Sequence, residues 1–347
     1  MSVTDDILST MPNTNGSTAV AAEGSGIVVE DLRHRFGDVI ALDGVSLDVA
    51  HGEVLGLLGP NGAGKTTTIN VLATLLVPDA GRAVVAGHDV VADPAAVRRL
   101  IALTGQFAAL DDVLTGRENL VLFGRLRGLR ATESGVRADE LLERFSLTDA
   151  ATKRVGTYSG GMRRRLDLAA SLVVAAPVLF LDEPTTGLDP RSRLELWDVV
   201  RELRDDGLTI VLTTQYLEEA DQLADRIVVI DHGRVVAEGT PTQLKAQAGG
   251  QSCVVTPVDP QQLRECSDVV AAFGEPIVDV EAGTVTIADA GPAVLGDLIG
   301  HLTAAGIELA DVSLRRPTLD EVFLQLTGHP RSAQTASSEQ TAHGART

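Results

Sequence analysis

Residues 59–67, GPNGAGKTT, have the spacing G-x-x-x-x-G-K-[ST] of a phosphate-binding loop. Gly59 and Gly64 allow the backbone to curl, so that successive N–H groups point at phosphate oxygens. Lys65 can reach the β- and γ-phosphates of a nucleotide, and the Thr66 hydroxyl can ligate Mg²⁺. A glycine-rich turn before a helix is the alternative, but the chain has only three lysines, which argues against coincidence. The loop therefore predicts nucleotide binding.

Two acidic residues follow the apolar run VLFL, residues 178–181. A carboxylate at the end of a strand beside a phosphate loop can hold Mg²⁺, usually through water, and Asp182 has that position. Glu183 is placed to orient or deprotonate an attacking water. An acidic turn that merely ends a strand is the alternative. These parts predict ATP and Mg²⁺ as cofactors, but they would suit many phosphate-transferring enzymes.

The segment YSGGMRRRLDLAASL, residues 158–172, offers a second place for an anion. Small residues and bare backbone N–H groups at a helix start form such a site. Three arginines follow, Arg163, Arg164 and Arg165; a solvated helix face is the favoured interpretation and phosphate steering the alternative. A tight helix entry without function is the alternative for the glycines.

Taken together, these motifs resemble those of the ATP-binding-cassette (ABC) ATPases. The phosphate loop, VLFLDEP, YSGGM, GLDP at residues 187–190 and TGQF around Gln106 stand in the family's order. The resemblance covers about residues 27–245. The family's signature motif is usually LSGGQ; here Tyr158 and Met162 replace its outer residues.

The resemblance implies why one chain carries two anion sites. In this family two cassettes pack head to tail, and each signature motif completes the partner's ATP site. A second copy of the chain is therefore an expected partner, in a nucleotide-sandwich homodimer. Asp189 is implied to link the two sites across the interface, and hydrolysis would release the closed dimer. The implied signature residues are Ser159, Gly160, Gly161 and Met162.

Two further residues receive roles from the same resemblance. Phe36 falls where the family places an aromatic that stacks on adenine; a core phenylalanine is the alternative. Gln106 is implied to contact Mg²⁺ or the attacking water, and the loop after it to contact a membrane partner. The complete nucleotide-binding set is Phe36, Gly59, Pro60, Asn61, Gly62, Ala63, Gly64, Lys65, Thr66 and Thr67. The implied metal-binding residues are Thr66, Gln106 and Asp182.

One position departs from the wider family pattern. After LTIVLTT the family generally has a histidine that contacts the γ-phosphate, and here the residue is Gln215. Glutamine can donate a hydrogen bond but cannot carry a proton near neutral pH. TTQYLEEADQLADRI, TGQFAALDDVLTGREN and the C-terminal TLDEVF look like the daunorubicin/doxorubicin-resistance ATP-binding proteins. The predicted catalytic residues are Glu183, Gln215 and Lys65.

Alternating apolar runs and helical patterns predict a mainly parallel sheet with helices on its faces. With the resemblance, the predicted fold class is α/β: a P-loop NTPase cassette with a RecA-like core, a helical subdomain and an antiparallel β subdomain, followed by a small α+β domain. The expected divisions are a disordered leader at 1–25, a nucleotide-binding domain at 26–249 with a helical signature subdomain at 114–175, an accessory domain at 250–328 and a disordered tail at 329–347.

The composition of the chain disfavours two classes of binding partner and a membrane-spanning segment. The net charge of −19 argues against sequence-independent nucleic-acid binding and against adhesion to anionic lipid. The longest apolar run, residues 168–181, is too short to cross a membrane and contains Pro177. Two cysteines and no export signal favour a reducing cytoplasm.

The sequence thus predicts a subunit at the cytoplasmic face of the membrane, attached only through a separate permease, that hydrolyses ATP to export a hydrophobic or amphiphilic compound. Three alternatives remain. One is an ATP-driven nucleic-acid machine of the same superfamily, which the acidic charge disfavours. The others are a cassette that binds ATP without hydrolysing it and an importer subunit; the subfamily resemblance favours export by analogy.

Overall fold

The computed structural model describes residues 25–105, 110–247, 250–288, 290–315 and 317–327. Its strands are β1 (Ser25–Phe36), β2 (Val39–Ala50), β3 (Val54–Leu58), β4 (Ala80–Val85), β5 (His88–Asp89), β6 (Ile101–Thr104), β7 (Val178–Asp182), β8 (Thr209–Thr214), β9 (Arg226–Asp231), β10 (Arg234–Gly239), β11 (Ser252–Pro257), β12 (Pro276–Asp279), β13 (Thr284–Ile287) and β14 (Leu309–Arg315). Its helices are α1 (Lys65–Leu72), α2 (Pro94–Leu100), α3 (Gly116–Leu126), α4 (Ala131–Arg144), α5 (Gly160–Ser171), α6 (Pro190–Asp205), α7 (Leu217–Leu223), α8 (Pro241–Gln247), α9 (Leu263–Val270), α10 (Pro292–Ala304) and α11 (Leu319–Thr327). The predicted leader up to residue 24, the predicted tail and Gln106 lie outside the described residues.

A six-stranded sheet in the order β10-β9-β3-β8-β7-β6 forms the centre of the cassette. All its pairings are parallel except β9 with β10. β3, β7 and β8 are buried along their whole length, as expected for apolar strands covered on both faces. The predicted parallel sheet is confirmed. Because the phosphate loop follows β3, Glu183 follows β7 and Gln215 follows β8, the predicted catalytic residues meet at one edge of this sheet.

An antiparallel sheet in the order β2-β1-β4-β5 packs beside the central sheet. Its apolar side chains share one core with α1 and with β3, β7 and β9. The close approach shows at Gly64, whose φ is +111°, because a Cβ there would lie 2.6 Å from the carbonyl oxygen of Ala41. The phosphate loop is thereby held against β2.

The region between residues 114 and 175 is helical, as the sequence predicts. α3 begins with a capping box, in which the Thr115 hydroxyl accepts from the Glu118 N–H and the Glu118 carboxylate accepts from the Thr115 N–H. α3, α4 and α5 enclose Phe145, which is fully buried, in a core that continues to α6 and to one face of the central sheet. This continuity fixes α5, and hence the signature segment, relative to β7.

Residues 252–315 form a separate antiparallel sheet, β12-β13-β11-β14, with α9 and α10 packed on it around buried Cys253 and Cys266. A 3₁₀ turn at Pro260–Gln262 precedes α9. α11 then returns to the cassette, where Leu319 and Val322 pack with residues of α7 and α8. An accessory role for this unit stays a prediction.

Among the described residues, no helix combines the length and the apolar character that crossing a bilayer requires.

Candidate active site

The phosphate loop is closed on itself by its lysine. Lys65 is 4% exposed, and its Nζ donates to the carbonyl oxygens of Gly59 at 2.7 Å and Pro60 at 3.1 Å. Burial lowers the pKa of Lys65, and the charges of Glu183 and Asp182 oppose that shift. The loop therefore holds a partly desolvated cation at the start of α1, close to two carboxylates.

The side chain of Asp182 lies between the phosphate loop and β8. Its Oδ1 accepts from the Thr66 hydroxyl at 3.0 Å and from the Thr213 hydroxyl at 2.6 Å. Asp182 is buried, so these bonds offset part of the cost of removing a carboxylate from water. The structure thus brings Thr66 and Asp182 together, as the sequence predicts for two ligands of one metal ion.

This pair fits Mg²⁺, which prefers oxygen ligands and is usually bound by one or two protein groups together with phosphates and water. A hydroxyl and a carboxylate already in contact meet that requirement. Among the described residues there is no cluster of three or more His, Cys, Asp or Glu side chains that could hold a metal without phosphate. Thr66 and Asp182 would hold Mg²⁺ here, and the ion would neutralise charge on the phosphates.

Glu183 has an unusual backbone conformation. Its φ is +47°, a region in which non-glycine residues are uncommon and strained. The strain is held by Thr213, whose carbonyl and hydroxyl oxygens both accept from the Glu183 N–H, at 3.1 and 3.0 Å. One carboxylate oxygen of Glu183 lies 3.9 Å from Lys65 Nζ, and the other accepts from the Thr186 hydroxyl at 3.3 Å. The carboxylate is therefore directed toward the phosphate loop.

The signature segment begins α5. The Ser159 hydroxyl accepts from the Met162 N–H at 3.2 Å as the helix N-cap, and both Ser159 and Gly160 are exposed. Gly161 is buried against α6. A Cβ at that position would lie 2.3 Å from the Ser192 hydroxyl, so the close packing requires glycine. Within the described part of the chain, no hydrogen bond connects Ser159 with the phosphate loop.

Tyr158 explains how the departure from the usual leucine is accommodated. Its hydroxyl donates to the carbonyl oxygen of Ala150 at 2.8 Å, and its ring packs against the start of α3, where a Cβ on Gly116 would lie 2.1 Å from the hydroxyl. Burial raises the pKa of Tyr158. The tyrosine fixes the segment that leads into Ser159.

The favoured interpretation of the three arginines as a solvated helix face is wrong for Arg164 and Arg165, whose side chains are largely buried. Arg164 reaches inward and donates to the carbonyl oxygens of Pro184 at 2.8 Å, Gly105 at 2.6 Å and Asp182 at 3.3 Å. Arg165 donates to the carbonyl oxygen of Phe145 and pairs with a glutamate of α6, and Arg163 pairs with an aspartate before α3. The bonds of Arg164 tie the signature helix to the carboxyl ends of β6 and β7.

The remaining predicted residues differ in how close they lie to this centre. Phe36 is 53% exposed at the tip of the β1–β2 hairpin, so the alternative of a core phenylalanine is wrong. Its ring contacts His34 edge to face, with the centroids 4.7 Å apart.

Gln215 follows β8, next to the Asp182–Thr213 pairing. Asp189 caps α6, accepting from the N–H and hydroxyl of Ser192, and these bonds lower its pKa.

Sequence reasoning missed two residues that organise this site. Thr213 connects Asp182 with Glu183, and Arg164 connects α5 with β7. A threonine at the end of an apolar strand, opposite an aspartate at the end of another, could have indicated the first. Nothing in the local pattern distinguishes Arg164 from its neighbours.

The parallel core, the phosphate loop and the acidic strand end, together with a signature segment that begins a helix of the inserted region, are the features of an ATP-binding cassette ATPase. The family model described as "ABC transporter" matches residues 42–186. The daunorubicin resistance ATP-binding protein DrrA3 of Streptomyces coeruleorubidus is 56% identical over 320 residues, which cover 90% of this chain and 99% of that protein. The chain belongs to the ABC transporter family, among its daunorubicin/doxorubicin-resistance ATP-binding proteins.

Two further comparisons support the same family assignment. The doxorubicin resistance ATP-binding protein DrrA of Mycobacterium tuberculosis is 51% identical over 319 residues, covering 89% of this chain and 96% of that protein. A solved ATP-binding cassette, a dimer in a post-hydrolysis state bound to ADP and Pi, is 25% identical with a TM-score of 0.56. It covers 62% of this chain and 98% of its own.

Proposed function

We propose that the chain is the ATP-hydrolysing subunit of an exporter that moves a hydrophobic or amphiphilic compound through a separate permease. The observation that carries the proposal is the meeting of Lys65, Thr66, Asp182 and Glu183 at one edge of the parallel sheet. The resistance proteins among its relatives, named for daunorubicin and doxorubicin, support a drug-like cargo. Several amphiphile classes fit this proposal equally.

In the proposed reaction, the triphosphate takes the place of the Gly59 and Pro60 carbonyls as the partner of Lys65. The N–H groups of the loop and the start of α1 donate to phosphate oxygens. Glu183 orients a water and accepts its proton as the oxygen attacks the γ-phosphorus. The bond to the ADP oxygen breaks, and ADP and inorganic phosphate leave. Gln215 donates a hydrogen bond to the γ-phosphate but takes no proton.

We further propose that the signature segment serves the nucleotide of a second copy. Ser159 and Gly160, which stand at the start of α5, are exposed. In a head-to-tail pair related by two-fold symmetry, each α5 would then cap the partner's triphosphate. The dimeric form of the solved cassette with ADP and Pi supports this arrangement.

Arg164 gives the proposed closure a route to the catalytic residues. It holds the carbonyl oxygens of Asp182 and Pro184, on either side of Glu183, to the helix that begins at Ser159. A partner nucleotide that moves α5 would therefore also move the strand end that carries Glu183. Such coupling would delay hydrolysis until the dimer has closed.

The permease would be the membrane contact, at the cytoplasmic face. The negative net charge gives the chain no electrostatic attraction to anionic lipid. The Gln106 segment is the predicted contact with the permease. The same charge disfavours the nucleic-acid machine, which would need a basic face to neutralise phosphates.

The catalytic proposal is tested with Glu183→Gln. We expect MgATP to bind and phosphate release to fall by about 100-fold or more, since a positioned general base contributes about 10²–10⁴-fold. Glu218→Gln, the same substitution at an exposed position on α7, is the matched control. Phosphate release by Glu183→Gln at the rate of the control would overturn the assignment.

The dimer proposal is tested with Ser159→Asp and Ser159→Asn. Both replacements cap helices about as well as serine, so α5 should remain folded. Only aspartate would place a negative charge against the partner's triphosphate. In the Glu183→Gln background, MgATP should therefore produce dimers of the Ser159→Asn variant but not of the Ser159→Asp variant, as measured by light scattering. Equal dimerisation of both variants would contradict capping by the partner.

A further inference from the structure

A buried polar cluster lies behind the catalytic edge, between α6, α7 and the segment 183–189. Its centre is Glu219 on α7, whose side chain is completely buried. Glu219 Oε1 accepts from the indole N–H of Trp197 on α6 at 3.2 Å. The hydroxyls of Thr185 and Thr214, both buried, and the guanidinium of Arg193 complete the cluster.

Three atoms of this Glu219 cluster lack a hydrogen-bond partner among the described residues. They are Oε2 of Glu219, the hydroxyl of Thr185 and Nε of Arg193, and all three are buried. Buried polar atoms without partners are rare and call for an explanation. Here one atom is an acceptor and the other two can donate, so the three could satisfy one another.

The Thr185 hydroxyl lies close enough to the Glu219 carboxylate to favour its charged form. Burial raises the pKa of Glu219, and the Thr214 and Thr185 hydroxyls, the Trp197 indole and the charge of Arg193 oppose the rise. Each of these groups therefore favours the charged carboxylate. The Thr185 hydroxyl and Glu219 Oε2 are thus near neighbours that still lack a hydrogen-bond partner among the described residues.

The cluster connects two segments that carry proposed catalytic residues. Thr185 belongs to the segment that begins with Glu183 and ends with Asp189. Thr214 directly precedes Gln215, and its hydroxyl accepts from the Tyr216 N–H at 2.9 Å. α7 begins after Tyr216. Arg193 lies over the Tyr216 ring, 5.0 Å from its centroid, so it too contacts the Gln215 segment.

We propose that Glu219 is a positioning residue for ATP hydrolysis. Its free Oε2 accepts from Thr185 and Arg193 when the segments of Glu183 and Gln215 move together into their hydrolytic arrangement. Oε1 keeps its bond to Trp197 throughout, so α6 acts as the fixed support. This inference rests on the proposed ATPase function and adds a residue that touches neither nucleotide nor water.

Thr185→Val separates this role from a structural one. Valine keeps the shape and removes a hydroxyl that lacks a partner, so the melting temperature without nucleotide should be unchanged or higher. Turnover should nevertheless fall about tenfold, which corresponds to about 1.4 kcal/mol in the barrier. KM for ATP should stay within about twofold, since the bond forms only on the way to hydrolysis.

Glu219→Gln provides the second arm of the experiment. An amide replaces one carboxylate oxygen by an NH2 group, so while its oxygen accepts from Trp197 its other end presents donors, not an acceptor, to Thr185 and Arg193. We expect a similar loss in kcat, and the Thr185→Val/Glu219→Gln double variant should lose no more than the worse single variant. Leu141→Ala, a cavity on α4 rather than on α6 or α7, is the packing control and should lower the melting temperature but keep kcat.

The indole supplies a direct signal, because Trp197 is the only tryptophan of the chain. In Glu183→Gln protein, MgATP should change its fluorescence, and Thr185→Val should reduce that change. Wild-type turnover in Thr185→Val, or additive effects of the two substitutions, would overturn the role of Glu219. A wild-type protein without phosphate release would instead overturn the proposed function, so the two failures are distinguishable.

Discussion

The Nζ of Lys65 donates to the carbonyl oxygen of Gly59 across 2.7 Å, so that the last turn of the phosphate loop is bonded to its first residue. This bond shapes the loop around a buried cation. The loop begins with a glycine because it passes close to β9, where a Cβ on residue 59 would lie 2.2 Å from the carbonyl oxygen of Ile230. The loop geometry and the burial of Lys65 therefore depend on each other.

Lys65→Met should abolish phosphate release and change how stability depends on pH. The folded pKa of Lys65 lies below its ordinary value of 10.5 because of burial. Between the lowered pKa and 10.5 the unfolded chain binds more protons, so stability rises with pH in the wild type. Lys65→Met should lack this rise. Urea unfolding from about pH 7 to about pH 10 measures the difference between the two proteins.

The same substitution at Lys245, which is partly exposed and paired with Asp221, is the control for a lost lysine and should leave phosphate release intact. If the wild type and Lys65→Met gave parallel stability curves across this pH range, the lysine would not be desolvated in solution.

Phe36→Ala should weaken ATP binding without changing stability. The ring is half exposed on a hairpin tip, so its removal takes little area from the core. Stacking of a base on an aromatic ring contributes about 1–3 kcal/mol, and we expect KM for ATP to rise about tenfold. Phe36→Tyr keeps the ring and should behave as wild type. An unchanged KM in Phe36→Ala would place adenine elsewhere.

Gly161→Ala should destabilise the protein, whereas Gly160→Ala should not. A Cβ at Gly161 would lie 2.5 Å from the Ser192 Cβ, while one at Gly160 meets only Leu188, at 3.8 Å. Overpacking of this kind costs about 1–3 kcal/mol. Thermal unfolding of both variants measures the difference.

Ser192→Gly removes the obstructing atoms and should restore part of the stability of Gly161→Ala. In Gly160→Ala the fold should be intact while turnover falls, because Gly160 is the exposed glycine in the proposed contact with the partner's nucleotide. The two glycines would then have distinct roles, one in packing and one in binding. Equal melting temperatures for the two variants would refute this division.

The strand ends could be predicted from the sequence, and the contacts between distant segments could not. Apolar runs that stop at Gly59 and Asp182 indicate buried parallel strands, and parallel strands bring their carboxyl ends to one edge. The inward course of Arg164 depends instead on carbonyl groups of β6 and β7, which no periodicity encodes. The first antiparallel sheet was likewise expected only through the family resemblance, since β1 and β2 carry no distinctive alternation with helices.

Gln215 stands where the wider family has a histidine, and substitutions at this position show what the side chain contributes. Gln215 follows β8 at the edge where Asp182 and Thr213 pair, and Lys65 and Glu183 lie near the same edge, so we expect its amide to donate to a γ-phosphate held by Lys65. Gln215→Ala removes this donor and should lower kcat strongly, by about tenfold or more, since a hydrogen bond to a charged group contributes about 1.5–3 kcal/mol.

Gln215→His restores a donor of similar reach and should keep much of the wild-type rate. Because imidazole titrates near neutral pH and glutamine does not, the pH–rate profile separates the two modes of action. Wild-type kcat should show no step attributable to residue 215 between about pH 6 and about pH 8, whereas any step that appears in Gln215→His comes from the imidazole. Equal turnover in wild type, Gln215→Ala and Gln215→His would show that Gln215 does not contact the γ-phosphate.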